Sequence, residues 1–394
     1  MSLIKETYHA QIEAGQREAQ IPQPAAHKIG WLNLPGYKGE TWNPVVGCRK
    51  VSEGCRNCYA ERMANRLAGI ANKKSAATTS LLKYADVIYN GKWNGKASFN
   101  TDELLAPLQW KSPRVVFVCS MGDLFHENTM ETWIDKVMVM IALNPKHIFI
   151  ILTKRAKRMA EYFSRPKEKI VEAWEKACYD IGLSDSNDDI DSPACFIYNR
   201  AFGYTKKSTT GWPLTNMWLG VTAENKAAAN ERIPALLKIK AAVKFVSVEP
   251  MLGPVNLSIW FYSGFMEPPF DDCVDWVICG GESGPGARPM HPDWVRSLRD
   301  QCKEAQVPFF FKQWGEWQNG SCFKEKVKHL FMLDDGQAFG YSIETGMVEI
   351  KNVSSEYWNK HTPVTVSKVG RKQSGNLLDG VRYETYPSIE TRNS

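Results

Sequence analysis

The chain has 394 residues, 43% of them hydrophobic and 23% charged, with a formal net charge of +6. These are ordinary values for a folded globular protein, long enough for one large barrel with additions or for two to three smaller domains. Met1 to Gln23 is polar and lacks the apolar centre of a secretory leader, and no apolar run is long enough for a bilayer, so a cytoplasmic location is expected. The mild basic balance permits a polyanionic partner without requiring one.

In chain order, residues 1–40 read as an arm, with a short polar helix from Thr7 to Gln20 ended by Pro22 and Pro24. Residues 41–315 carry a repeating pattern of a short apolar run, a polar turn and a helical run. A first strand is expected before Cys48, and a helix over Ala60 to Leu67. The clearest strand is Arg114 to Cys119, followed by a helix with apolar spacing from Trp133 to Ile141. Further strands are expected at His147 to Leu152, Met217 to Val221, Val243 to Val248, Trp276 to Cys279 and Pro308 to Phe311.

Near-continuous apolar strands alternating with helices indicate a parallel sheet buried on both faces. The fold class is therefore α/β, a partial or complete β/α (TIM-like) barrel; a doubly wound open sheet gives the same string. Residues 164–213 interrupt the rhythm as an insertion, with a helix from Glu168 to Ile181 and an acidic, serine-rich loop from Ser184 to Ser192. Residues 316–394 read as a small β-rich appendage with hairpin turns at Asp334 to Gly336, Glu344 to Gly346 and Leu378 to Gly380.

Ten cysteines in a cytoplasmic chain are not a disulfide framework. Cys119 and Cys279 lie inside apolar runs and read as core; Cys178, Cys195, Cys273, Cys302 and Cys322 are scattered. Cys48, Cys55 and Cys58 alone cluster, as C-x6-C-x2-C directly after Trp42-Asn43-Pro44. Thiolates at this spacing can share a soft metal or an iron–sulfur cluster. Three ligands leave one position open, as catalysis requires, whereas a structural zinc needs a fourth, for which His126 is a remote candidate. Unliganded thiols are the third alternative.

Each strand of this pattern ends in polar residues, at the edge where parallel α/β sheets bind ligands. The candidates there are Ser120, Asp123, Lys154, Thr222, Glu224, Glu249, Lys312 and Gln313, with Tyr59 beside Cys58. Gly280 and Gly281 would let backbone approach a ligand closely. Glu282, Arg288 and His291 follow them, and Trp314 offers a stacking face or a plug for the barrel mouth. The run Gly280 to Gly286 lacks the features of a phosphate-binding or dinucleotide loop. Arg49, Lys50, Arg56, Arg62 and Arg66 surround the cysteines and equally suit a non-catalytic, zinc-stabilised nucleic-acid-binding protein.

Trp42-Asn-Pro44, Cys48 through Glu61, Met121 to Phe125, Leu152 to Arg155, Ser247 to Pro250, Gly280 to Ser283, Phe311 to Gly315 and Leu378 to Gly380 together resemble the phage-associated Gp37/Gp68 (DUF5131) three-cysteine family, over Trp42 to Pro387. The host cytoplasm is then the expected location. The three cysteines after a first strand also resemble radical S-adenosylmethionine (SAM) enzymes, of which spore photoproduct lyase is the nearest analogy. The first gap is six residues rather than the usual three, and the aromatic residue, Tyr59, follows the third cysteine instead of preceding it.

That resemblance implies a four-iron four-sulfur (4Fe–4S) cluster on Cys48, Cys55 and Cys58, with SAM on the free iron. Tyr59, Ser120, Asp123, Lys154, Thr222 and Glu224 would line the cofactor, and Glu249, Lys312 and Gln313 would face the substrate. It implies electron supply from a flavodoxin- or ferredoxin-type donor. It also implies hydrogen abstraction from DNA or a nucleotide, in modification or repair; a protein or small metabolite is the alternative substrate.

Overall fold

The computed structural model describes residues 27–73, 79–184, 192–203, 211–261, 273–320, 327–341, 348–349, 357 and 360–388. The expected helix at Thr7 to Gln20, most of the acidic loop, Cys322 and the turn at Glu344 to Gly346 lie outside them.

Seven strands form one parallel sheet: β1 (Lys38–Trp42), β2 (Arg114–Val118), β3 (Ile148–Thr153), β4 (Met217–Thr222), β5 (Val243–Val248), β6 (Trp276–Gly280) and β7 (Phe309–Gln313). Each is hydrogen-bonded to its neighbour in sequence. The intervening segments supply helices α1 (Tyr59–Lys73), α2 (Thr79–Val87), α3 (Glu131–Leu143), α4 (Ala156–Phe163), α5 (Lys167–Asp180), α6 (Pro193–Phe202), α7 (Lys226–Leu237) and α8 (Pro292–Glu304). Among the described residues no helix is long and apolar enough to cross a membrane.

Alternation along the strands decides between an open and a curled sheet. Val116, Val118, Phe149, Ile151, Leu219 and Val246 share a core with residues of α3, α4, α5 and α7. The other parity, including Val115, Ile150, Trp218, Phe245, Trp276 and Phe310, packs on Trp31 and Leu32. Helices thus cover one face, and a single turn at Gly30–Leu32 fills the other. The Trp31 ring lies 4.9 Å from Phe117 on β2 and 6.3 Å from Trp276 on β6. In a flat sheet those strands would stand about 19 Å apart, at ~4.8 Å per step. The sheet is therefore curled into a half-barrel around Trp31, and the doubly wound alternative is set aside. Residues 30–40, assigned from sequence to an arm, supply this plug and most of β1.

β1 and β7 do not pair with each other. Returning antiparallel along β7, the chain end satisfies that edge instead: Phe311 N–H donates to Tyr383 O at 2.8 Å, and Phe309 N–H to Thr385 Oγ1 at 2.7 Å. Trp276 Nε1 donates to Thr385 O, and the Tyr386 hydroxyl to Gly30 O at 3.3 Å, which ties the chain end to the plug. The rest of the described C-terminal part holds a five-stranded antiparallel sheet, built from β8 (Trp317–Asn319), β9 (His329–Met332), β10 (Ala338–Tyr341), β11 (Val348–Glu349) and β12 (Val364–Lys368), and a hairpin that pairs Leu377–Leu378 with Val381–Arg382 about the expected turn. In the insertion, α5 and α6 pack on each other and on α3.

Gly220, inside β4, shows how tightly the interior is filled. A Cβ there would lie 2.4 Å from the ring of fully buried Phe245. Gly220→Ala is expected to cost about 1–3 kcal/mol through overpacking. Phe245→Leu in the same chain should recover part of that loss, read as non-additivity in urea unfolding.

Candidate functional site

The cysteine loop leaves β1 and lies across the carboxyl ends of β2, β3 and β4. Cys48 is half-buried, and its sulfur receives an N–H from Arg155 Nη1, just past β3, at 3.6 Å. Cys55 is buried in the single turn Glu53–Cys55, with Ser52 Oγ 3.7 Å from its sulfur. Cys58 immediately precedes α1, where the backbone N–H groups of Glu61 and Ala60 favour its thiolate. A helix start is a favourable seat for a thiolate. Burial nevertheless pushes the Cys48 thiol up to about 12, with Asp123 adding to the rise and Arg155 opposing it. Burial raises Cys58 as well, and Cys55 beside it adds to the effect. Burial thus favours the neutral thiol at Cys48 and Cys58, and a bound cation would favour the thiolate.

Strand-end residues hold this loop in place. The Tyr59 hydroxyl donates to Ser120 O at 3.0 Å, and burial of that hydroxyl pushes it up to about 12. Tyr59 as a residue is 49% exposed. Ser120 Oγ donates to Asn43 Oδ1, which also takes the Met121 N–H. Asp123 accepts from Thr153 Oγ1 at 2.7 Å, Lys154 N, Phe125 N and Arg155 Nη1 at 2.9 Å. Its two oxygens are thus occupied internally, and they orient Arg155 toward Cys48.

Glu224, just beyond β4, is fully buried between Arg232 at 2.8 Å and Lys154 at 3.3 Å. Gly54 rests on this pair: a Cβ there would lie 3.0 Å from Lys154 Nζ and 3.1 Å from the Glu224 carboxyl carbon. Thr222 is buried, and its carbonyl accepts from Arg232. His126, the remote ligand candidate, is fully buried; its Nδ1 takes the Asn128 N–H, and burial with Arg155 nearby lowers it to about 4.

Glu249 and Lys312 form a second group, with an ion pair of 2.6 Å. Glu249 lies just past β5 and Lys312 in β7, and they meet across β6, over Gly280, where a Cβ would touch both at 3.4 Å. The register of β6 and β7 shifts at this point and leaves Lys312 as the extra residue. A bulge of that kind re-aims a side chain at a strand end. Gln313 is buried, its Nε2 bound to Gly281 O, while its Oε1 lacks a partner among the described residues. Trp314 packs edge-on against Phe311 at 5.0 Å and donates to Leu377 O, so it is a core residue and not a free stacking face.

Among the described residues, no three Cys, His, Asp or Glu side chains are gathered closely enough to grip a metal ion. The donor set still suits a soft group, with three thiols on one loop and N–H donors aimed at two of them.

A family model described as a protein of unknown function (DUF5131) matches residues 29–387. The chain belongs to the DUF5131 family. No curated protein and no solved structure matches it. Membership spans the half-barrel and the C-terminal sheet alike and carries no activity with it. What sequence reading missed in this DUF5131 chain are the residues that hold the others: Asn43, Arg155 and Arg232. Asn43 had a signal in its place beside the cysteines; Arg232 sits mid-helix in α7 with none.

Glu224 gives a pH test. Burial alone would raise its carboxyl, but Lys154, Ser52 and Arg232 outweigh burial and hold it at about 2, against an ordinary 4.5. The folded value is depressed, so its stabilisation is present above pH 4.5 and is lost as pH falls toward 2, on the order of 3 kcal/mol in full. Glu224→Gln should therefore destabilise the protein strongly at pH 7, with a penalty reduced to roughly half near pH 3, as measured by urea unfolding. A penalty unchanged between those pH values contradicts this assignment.

Proposed function

We propose that this protein is a radical SAM-type enzyme. Cys48, Cys55 and Cys58 hold a 4Fe–4S cluster, and SAM binds at the remaining iron. The observation that carries this reading is the position of the three-cysteine loop: it follows the first strand of a curled parallel sheet and rests on the carboxyl ends of the next three. Active sites of β/α barrels lie at that edge. Closing on one cluster requires the three thiols to draw together. When bound, the cluster and SAM would supply a carbon radical that takes hydrogen from the substrate, with electrons from a flavodoxin- or ferredoxin-type donor.

The chain's own residues bind and orient. Lys154 would exchange Glu224 for the SAM carboxylate, since its 3.3 Å ion pair is long and the side chain is partly exposed. Asp123 and Glu224 act at one remove, by fixing Arg155 and Lys154. Tyr59, Ser120 and Thr222 line the cofactor's side of the cleft. Glu249, Lys312 and the Gln313 Oε1, which lacks a partner among the described residues, supply a base, an acid and an acceptor on the substrate's side. Exposed Arg49, Arg56 and Arg66 beside the cysteine loop favour a nucleic-acid base or nucleotide as substrate.

Oxygen-free purification tests the reading. Brown protein with about four irons per chain is expected, together with 5′-deoxyadenosine formed from SAM under reduction. Cys55→Ala should lose both. A colourless protein holding zinc, or undiminished SAM cleavage in the variant, refutes it.

A further inference from the structure

The glycine-rich loop that follows β6 does not use its glycines to approach a ligand. A Cβ on Gly284 (φ +93°) would lie 2.3 Å from Arg62 Nη2, and one on Gly286 (φ +77°) 3.0 Å from Asn57 Oδ1. Asn57 and Arg62 flank Cys58. The glycines therefore make room for side chains of the cysteine loop and of α1.

Bonding between the two loops runs both ways. Asn57 Nδ2 donates to Gly286 O at 2.7 Å and to Glu282 Oε2 at 2.9 Å. Arg62 donates to Ser283 O at 3.1 Å and to Asn57 O at 3.2 Å. Glu282, 6% exposed, is the hub. It accepts Arg288 Nη2 at 2.6 Å, Arg288 Nε at 2.9 Å and the Arg288 backbone N–H at 2.9 Å. Arg288 Nη2 continues to Glu53 O at 2.9 Å. The cysteine loop is thus gripped at Glu53 and at Asn57, on either side of Cys55 and directly before Cys58.

We propose that Glu282 is a positioning residue for Cys55 and Cys58: through Arg288 and Asn57 it fixes the separation of the second and third thiols from the end of the sixth strand. It touches neither thiol and is not catalytic. The clamp belongs to the loop itself, so it holds for iron, zinc or no metal, and goes beyond the reading of what the thiols bind. The same loop begins at Gly280, over which Glu249 and Lys312 meet, so one element shapes both the substrate side of the mouth and the thiol spacing.

Alkylation of the metal-free chain by iodoacetamide, resolved by peptide mass spectrometry, tests this independently of any cofactor. Glu282→Gln should raise the rates at Cys55 and Cys58 by about tenfold, the order of factor that losing a charge-assisted hydrogen bond supports. Cys178 and Cys302, buried elsewhere, should stay unreactive. Asn57→Ala, which leaves the Glu282–Arg288 pair intact, should raise Cys58 more than Cys55. Should Glu282→Gln fail to fold, Asn57→Ala alone decides. Unchanged rates at Cys55 and Cys58, or a rise at every thiol alike, overturn the proposal.

Discussion

Seven parallel strands laid side by side leave two bare edges, and the backbone groups along a buried edge need partners. A closed barrel meets this demand by pairing its first strand with its last. Here β1 and β7 remain apart, and three other devices share the task. Gly30–Leu32 plugs the interior, residues 383–385 pair along β7, and the loop after β6 reaches over to the loop after β1. The curl, the depth of the cleft and the seating of the cysteines all depend on how this seam is filled.

Buried charge at the mouth comes in compensated groups, because an isolated ion in a low-dielectric site is too costly to keep. Asp123 faces Arg155, Glu224 faces Arg232 and Lys154, Glu249 faces Lys312, and Glu282 faces Arg288. These pairs stand at the ends of successive strands and leave little freedom for the side chains they join. The cysteine loop rests on three of the groups: Arg155 at Cys48, Lys154 with Glu224 under Gly54, and Arg288 at Glu53. The thiols therefore inherit their positions from ion pairs that lie far apart in sequence.

The strands were legible because each is a short apolar run bounded by turn residues. Val243–Val248 appears as read, and Arg114–Val118 stops one residue early because Cys119 adopts a positive φ of 55°. Helix α3 extends two residues beyond each end of the apolar run at Trp133 to Ile141. The curl was read as a partial or complete barrel from strands alternating with helices, a string that an open sheet shares; the contact that decides it, Trp31 touching two strands distant in the sheet, is encoded by no local pattern. Among the site residues, Ser120 and Asp123 read as free polar groups at strand ends, yet internal donors and acceptors engage both. Gly280 and Gly281 read as room for a ligand, yet a Cβ on Gly281 would meet the Trp314 carbonyl oxygen at 2.0 Å and one on Gly280 would touch Glu249 and Lys312 at 3.4 Å. Composition tells that a glycine is permissive; only the fold tells what occupies the space.

The bond from Tyr386 to Gly30 joins positions 356 residues apart. During translation the interior plug emerges 356 residues before its partner. A nascent chain carries β7 with its outer edge bare until residues 383–385 have been made, and pairings of such long reach form slowly. The exposed edge of that intermediate is set by where the seam falls along the polypeptide.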